Sequence, residues 1–225
     1  MNRLNFIPRS WLSVLVLVFC FGSFTAHAED QPSADKIAEW RKGAEQGDAG
    51  AQYNLGQCYR KGLGVMKDTG EAMMWFRKAA EQGLAVAQYN LGVCYGMGAG
   101  EVKNKVEAVK WYRKAAEQGH AKAQNNLGAF YDEGLGVAKD EVEAAKWYRK
   151  AAEQGFADAQ YNLGNRYAKG QGVVKDTIEA YKWFDLASVS GDQDSAKNRE
   201  IIAKKMTPDQ IAKAQQLSRK WKSNK

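Results

Sequence analysis

The sequence predicts an all-α fold: a right-handed α-solenoid of four helix pairs with helical caps at both ends. Three observations predict it. Glycines close successive segments at 47, 83, 119, 155 and 191, a period of 36 residues without slippage. The text Ala-Ala-Glu-Gln-Gly ends three of those segments, at 79–83, 115–119 and 151–155. Small and apolar residues inside each segment recur at helical spacing. A fixed period of this size marks an array whose units are each one supersecondary element; a single unit cannot bury its own apolar face, but stacked units can.

Each period reads as two helices, A then B. Ala51, Leu55 and Tyr59 stand at i, i+4 and i+8, one face of a helix, and Gly56 beside Leu55 leaves room for a second helix to approach closely. The pattern returns at Ala87, Leu91, Gly92, Tyr95, at Ala123, Leu127, Gly128, Tyr131, and at Ala159, Leu163, Gly164, Tyr167. Glycine pairs 62/64, 98/100, 134/136 and 170/172 follow, where a left-handed C-cap is expected. Helix B opens on a capping residue with an acid three positions on: Asp68 and Glu71, Asn104 and Glu107, Asp140 and Glu143, Asp176 and Glu179. It is expected to bury Ala72, Trp75, Phe76 and Ala79, with Trp111-Tyr112, Trp147-Tyr148 and Trp183-Phe184 repeating the aromatic pair.

These residues, A-x-x-x-L-G-x-x-Y, then G-x-G-V-x-x-D, then A-x-x-W-Y/F-x-x-A-A-x-x-G, resemble the Sel-one-like repeat, a relative of the tetratricopeptide repeat. The resemblance covers Gly47 to about Asp192. The second unit departs most, with Glu101 where Val65, Val137 and Val173 stand and Asn104 in place of aspartate; a looser A–B loop is expected there.

Along the chain, residues 1–28 read as a secretory signal: Arg3 and Arg9, an apolar run from Trp11 to Phe24, and the cleavage site Ala26-His27-Ala28. Cys20 raises lipidation as an alternative, against which Leu17-Val18-Phe19 lacks the small residues of such a site. The expected location is therefore periplasmic or secreted. Residues 29–47 are a linker and an N-terminal capping helix, a helix B without its helix A, with Trp40 in the Phe76 column. The four units are 48–83, 84–119, 120–155 and 156–191, and 192–225 forms a basic C-terminal cap. There Ile201, Ile202 and Met206 fit a capping helix, Thr207-Pro208 starts the last helix, and Ile211, Ala214, Leu217 and Trp221 form its apolar stripe.

The formal charge is +7, and removal of Arg3 and Arg9 leaves +5. Residues 196–225 hold nine Lys/Arg against Glu200 and Asp209, so residues 29–195 sum to −2. The basic balance belongs to the last segment, as a solvated helix or as a weak contact with anionic lipid headgroups. Nucleic acid is not expected as a partner, because the basic stretch is short and has no aromatic stacking platform. Cys58 and Cys94 occupy one column in adjacent units; equivalent helices lie about 8–10 Å apart, beyond the roughly 7 Å a disulfide tolerates. They are expected to be unpaired, small apolar fillers.

No catalytic or metal site is expected, nor a cofactor. His120 stands alone at a helix start, without Cys or His at ligand spacing. Ser33-Ala34-Asp35-Lys36 fits S-x-x-K but lacks the S-D-N and K-T-G companions of penicillin-recognising enzymes. Some exported, cysteine-rich Sel-one-like proteins have been described as penicillin-binding, so a weak penicillin-binding or β-lactamase-like hydrolase is the alternative the resemblance supplies.

Placed on a helical wheel at about 100° per residue, helix A turns five columns away from its buried arc. They read Tyr53/Tyr89/Asn125/Tyr161, Asn54/Asn90/Asn126/Asn162, Gln57/Val93/Ala129/Asn165, Arg60/Gly96/Asp132/Ala168 and Lys61/Met97/Glu133/Lys169. In tetratricopeptide-like proteins the corresponding offsets contact peptides on the concave face, and the resemblance implies the same here. The uniform tyrosines and asparagines either bridge neighbouring units or, for the asparagines, hold the main chain of an extended peptide. The variable columns are the better candidates for partner specificity. The expected function is an exported, non-catalytic, monomeric scaffold that binds a protein or peptide partner.

Overall fold

The computed structural model describes residues 31–98 and 104–223. The signal segment expected at 1–28, the cysteine at 20 and the loop position Glu101 lie outside the described residues. The repeats and their caps belong to the compact unit that begins at Pro32.

Among the described residues every regular element is a helix. The helices are α1 (Ala34–Glu45), α2 (Ala49–Lys61), α3 (Thr69–Glu81), α4 (Ala85–Met97), α5 (Lys105–Glu117), α6 (Ala121–Glu133), α7 (Glu141–Glu153), α8 (Ala157–Lys169), α9 (Thr177–Ser188), α10 (Gln193–Ala203) and α11 (Pro208–Ser223). Helices α2, α4, α6 and α8 are the four A helices; α3, α5, α7 and α9 are the four B helices. Each A packs on its own B, and each B packs on the next A, which is the connectivity of a solenoid. Helix α1 covers α2 at one end, while α10 and α11 both pack on α9 at the other. Thus the array has helices over both terminal apolar faces.

The pairs meet where the helix A glycine faces the helix B aromatic. A Cβ on Gly56 would stand 2.8 Å from Phe76, on Gly92 2.7 Å from Tyr112, on Gly128 2.9 Å from Tyr148 and on Gly164 2.8 Å from Phe184. The glycine is therefore the socket for the ring. Leu55, Leu91, Leu127 and Leu163 beside these sockets are all but sealed from solvent. The aromatic interior is continuous from Ala72 to Ala214.

Two sequence expectations are refined. Of each glycine pair, the first takes the left-handed C-cap, as at Gly62 with φ 73°. At 136 and 172 the second does a different job as well: a Cβ on Gly136 would collide with the backbone of Lys105, and one on Gly172 with the carbonyl oxygen of Glu141, so each loop touches the start of the preceding B helix. The capping boxes are only half formed. Asp68 Oδ1 accepts from the Glu71 amide at 2.9 Å, and Asn104, Asp140 and Asp176 cap in the same way. The reciprocal bond is replaced, because the amide of Asp68 donates to Tyr59 O at 3.0 Å, and those of Asn104, Asp140 and Asp176 to Tyr95, Tyr131 and Tyr167. Three of the acids pair with a lysine one turn on: Glu107–Lys110 at 2.6 Å, Glu143–Lys146 at 2.5 Å and Glu179–Lys182 at 3.0 Å.

The true capping box lies at α11: Thr207 Oγ1 accepts from the Gln210 amide at 3.3 Å, and Gln210 Oε1 accepts from the Thr207 amide at 2.9 Å. Ser33 also has a structural task. Its hydroxyl caps α1 by accepting from the Lys36 amide at 3.2 Å. Cys58 and Cys94 are free thiols, both buried.

Candidate functional site

The outward columns of helix A do not share one fate. Tyr53, Tyr89 and Tyr161 lay their rings against the B-helix aromatics Phe76, Tyr112 and Phe184, with centroids 5.9–6.0 Å apart. Tyr161 is only 5% exposed and presents no surface to a partner, contrary to expectation, because Phe184 draws it into the interior. The asparagines also turn inward. Asn90 Nδ2 donates to Val86 O at 2.7 Å, Asn162 Nδ2 donates to Asn125 Oδ1 at 3.0 Å, and Asn126 stands by the hydroxyls of Tyr89 and Tyr112. Of the two uses expected for this column, Asn162 serves the structural one by bridging two units, while Asn90 bonds within its own helix and keeps a place on the surface.

Asp132 is committed too. It forms an ion pair with Arg166, which stands in the column of the two cysteines and lies over the Tyr148 ring. Asn165, beside Arg166, has its carbonyl oxygen buried. Lys61, Met97, Glu133 and Lys169 are exposed at the last turns of their helices. Asn54 lies at the α1 edge, near Trp40 and Gly43.

The remaining members of the expected face converge. Tyr53, Gln57, Arg60, Tyr89, Asn90 and Val93 line one open groove of about 540 Å³, within the roughly 300–1,000 Å³ typical of ligand clefts. Lys61, Met97, Glu133 and Lys169 are not among its lining residues. Its other wall comes from residues the wheel did not select: Val86, His120, Ala121, Lys122 and Phe156. These stand at the N-terminal starts of α4, α6 and α8. The signal that finds two of them was present in the sequence. The residue after each closing glycine reads Asp48, Leu84, His120, Phe156 and Asp192, a variable column in an otherwise uniform repeat.

The groove has a fixed polar wall and a ring stack. Gln57 Nε2 donates to Tyr53 Oη at 2.7 Å, and Gln57 Oε1 accepts from Arg60 Nε at 2.9 Å and Nη2 at 2.6 Å. This chain holds the guanidinium in place. His120 stacks on Tyr89 with centroids 4.8 Å apart. Its Nδ1 accepts from the Ala123 amide at 3.2 Å, so the imidazole caps α6 in the neutral form with its proton on Nε2. Burial, helped by Lys122, pushes the His120 pKa down. Burial raises that of Tyr89 against the pull of Arg60.

A second cleft of about 590 Å³ lies between α7, the loop before α9 and the last helix, with Arg149, Trp183 and Trp221 in its wall. No group of three or more His, Cys, Asp or Glu suited to a metal occurs among the described residues. No helix among them is long and apolar enough to cross a membrane.

A family model described as Sel1 repeat matches residues 49–84, 85–120, 121–156 and 157–192. The chain belongs to the Sel1 repeat family. Sel1 repeat proteins are generally protein–protein interaction scaffolds. Among solved structures, this Sel1 repeat chain is similar to a protective antigen of uropathogenic Escherichia coli strains that displays an SLR fold. That match has 45% identity and a TM-score of 0.78, over 83% of this chain and 40% of that one. The chain thus spans well under half the length of the antigen. It is also similar to a Sel1 repeat protein of Oxalobacter formigenes, at 43% identity and a TM-score of 0.64 over 72% of each chain. An immunity protein of Pseudomonas aeruginosa shares 26% identity, with a TM-score of 0.50 over 76% of this chain and 63% of that one. Comparison with curated proteins returns no match.

Proposed function

We propose that this chain is an exported, non-catalytic scaffold that holds a segment of a partner protein in the groove over its A helices. The observation that carries the reading is the groove itself. Six of the residues expected to contact a partner line it together, while several of the other outward residues are spent on internal contacts. A half-buried floor of Tyr53, Tyr89 and Val93 beside fixed polar groups suits a protein segment better than a small metabolite. Export rests on the leader-like sequence of residues 1–28. The hydrolase alternative gains no support, since Ser33 is occupied as a helix cap.

The test is cross-linking of the tagged protein in its native envelope, beside a variant carrying Val93→Glu. Val93 is half-buried in the groove floor and packs on the core beneath it, so a charge there blocks apolar contact, and a circular dichroism melt verifies that the variant still folds. A protein captured by the wild type and lost in the variant supports the proposal. A protein captured equally by both moves the binding site elsewhere and overturns it.

A further inference from the structure

The residues around the groove are of one sign. Arg60, Lys122 and the Nε2–H of His120 are its charged or strongly polar donors, and no carboxylate is among the residues that line it. This stands against a background of opposite sign, because residues 29–195 carry a formal charge of −2. The acids nearest in sequence, Glu117 before His120 and Asp158 after Phe156, are not among the lining residues, Asp132 is held by Arg166, and Glu133 lies at the far turn of α6.

Arg60 is presented for use. Gln57 engages it through Nε and Nη2, leaving three of the five guanidinium N–H donors for an incoming oxygen. The Tyr53–Gln57 bond that anchors this arrangement means little side-chain freedom is lost on binding. Next to the donors the lining is apolar: Val86, Val93, Ala121 and Phe156. A cationic rim beside an apolar floor selects for charge at one point and for a hydrophobic anchor at the next.

Resting on the scaffold reading above, we infer that the groove takes an acidic protein segment, its carboxylates on Arg60 and Lys122 and an adjacent apolar side chain seated against Val93 and Phe156. The attraction is partly exposed, so binding weakens with added salt.

The experiment is selection of a phage-displayed random decapeptide library on the purified full chain, followed by anisotropy titration of the best labelled peptide. Binders enriched in Asp and Glu around one apolar residue are expected. The Arg60→Ala/Lys122→Ala double variant should lose about tenfold or more in affinity. Both side chains are exposed, and a circular dichroism melt verifies that the variant folds. Replacing the acids of the peptide by lysine should abolish binding. Binders without acidic enrichment, no binders at all, or an unchanged affinity in the double variant would each overturn the inference. If any of these occurs while Val93→Glu still abolishes partner capture, the acidic assignment falls and the scaffold reading stands. If capture ignores Val93→Glu, the scaffold reading at this groove falls and the inference with it.

Discussion

Gln82 Nε2 donates to Gln52 Oε1 at 2.8 Å, and Gln52 Nε2 donates in turn to the carbonyl of Ala44 at 3.2 Å. Three helices, α1, α2 and α3, are thereby joined through two side chains. The arrangement repeats with Gln118, Gln88 and Ala80, and with Gln154, Gln124 and Ala116. The inner glutamines are 4% exposed in each case, so they are buried amides with their partners supplied from both sides.

Replacing Gln124 by leucine should therefore cost more than its size suggests. The carbonyl of Ala116 keeps the Gly119 amide, and the side-chain amide of Gln154 keeps the carbonyl of Lys150, but two bonds that tie three helices together are lost. A loss of about 0.5–1.5 kcal/mol is expected, read as a lower urea midpoint at unchanged slope. Gln118→Ala, which removes an exposed donor, should cost much less.

Gly128→Ala should destabilise by about 1–3 kcal/mol through overpacking, because the new Cβ meets Tyr148 at 2.9 Å. Shrinking the ring in the double variant Gly128→Ala/Tyr148→Leu should recover part of that loss. Thermal melts of the two variants against wild type check both statements.

Asp132→Ala leaves the Arg166 guanidinium with two nitrogens already buried and no anion beside it. A loss toward the low end of about 3–5 kcal/mol is expected. Arg166→Met combined with Asp132→Ala should be milder than Asp132→Ala alone, since an apolar side chain suits a column that elsewhere holds Cys58, Cys94 and Phe130. Denaturant titration of the full double-mutant cycle tests this.

His120 gives the fold a pH dependence of known sign. Its folded pKa lies below the ordinary 6.5 because burial and Lys122 disfavour the cation. The unfolded chain therefore takes up the proton first as pH falls. The contribution is complete above pH about 6.5 and is lost as pH drops from there through the folded value. His120→Asn keeps a capping oxygen, so its stability should be flatter across that window than that of wild type. Melting temperatures across that pH window measure the difference.

The thiols of Cys58 and Cys94 are raised by burial and should react with a disulfide reagent at least about tenfold more slowly than a free cysteine. Peptide mapping after labelling, native against denatured, checks each thiol separately.

Much of this architecture was legible in the text of the repeat. Gly56 marked where a second helix could come close and Phe76 fell on the buried face of B, because spacing alone sets both stripes; that the ring seats on the glycine is visible only in the fold. Gly136 and Gly172 were read only as caps, since their task depends on Lys105 and Glu141, which reach them only after folding. The glutamine clamp was missed for a related reason. Gln52 falls on the buried arc, and a polar residue there looks out of place until its two partners are visible. In the candidate site, the tyrosine and asparagine columns were legible as repeats but not as bonds. Lys122 escaped notice because it precedes the outward arc of its own helix and joins the groove through its neighbours.

The glutamine clamp also bears on how such a chain changes over time. The first three junctions offer the same donor and the same acceptor, with Ser190 in place of the outer glutamine at the fourth, so a duplicated inner unit would find mates waiting on either side. Growth by whole copies disturbs the fold little, but the binding surface does not share that tolerance. A copy inserted between the second and third units would carry Arg60 and Tyr89 away from His120 and Lys122, splitting the groove in a molecule that still folds. Unit order, more than unit content, is what inheritance must preserve here.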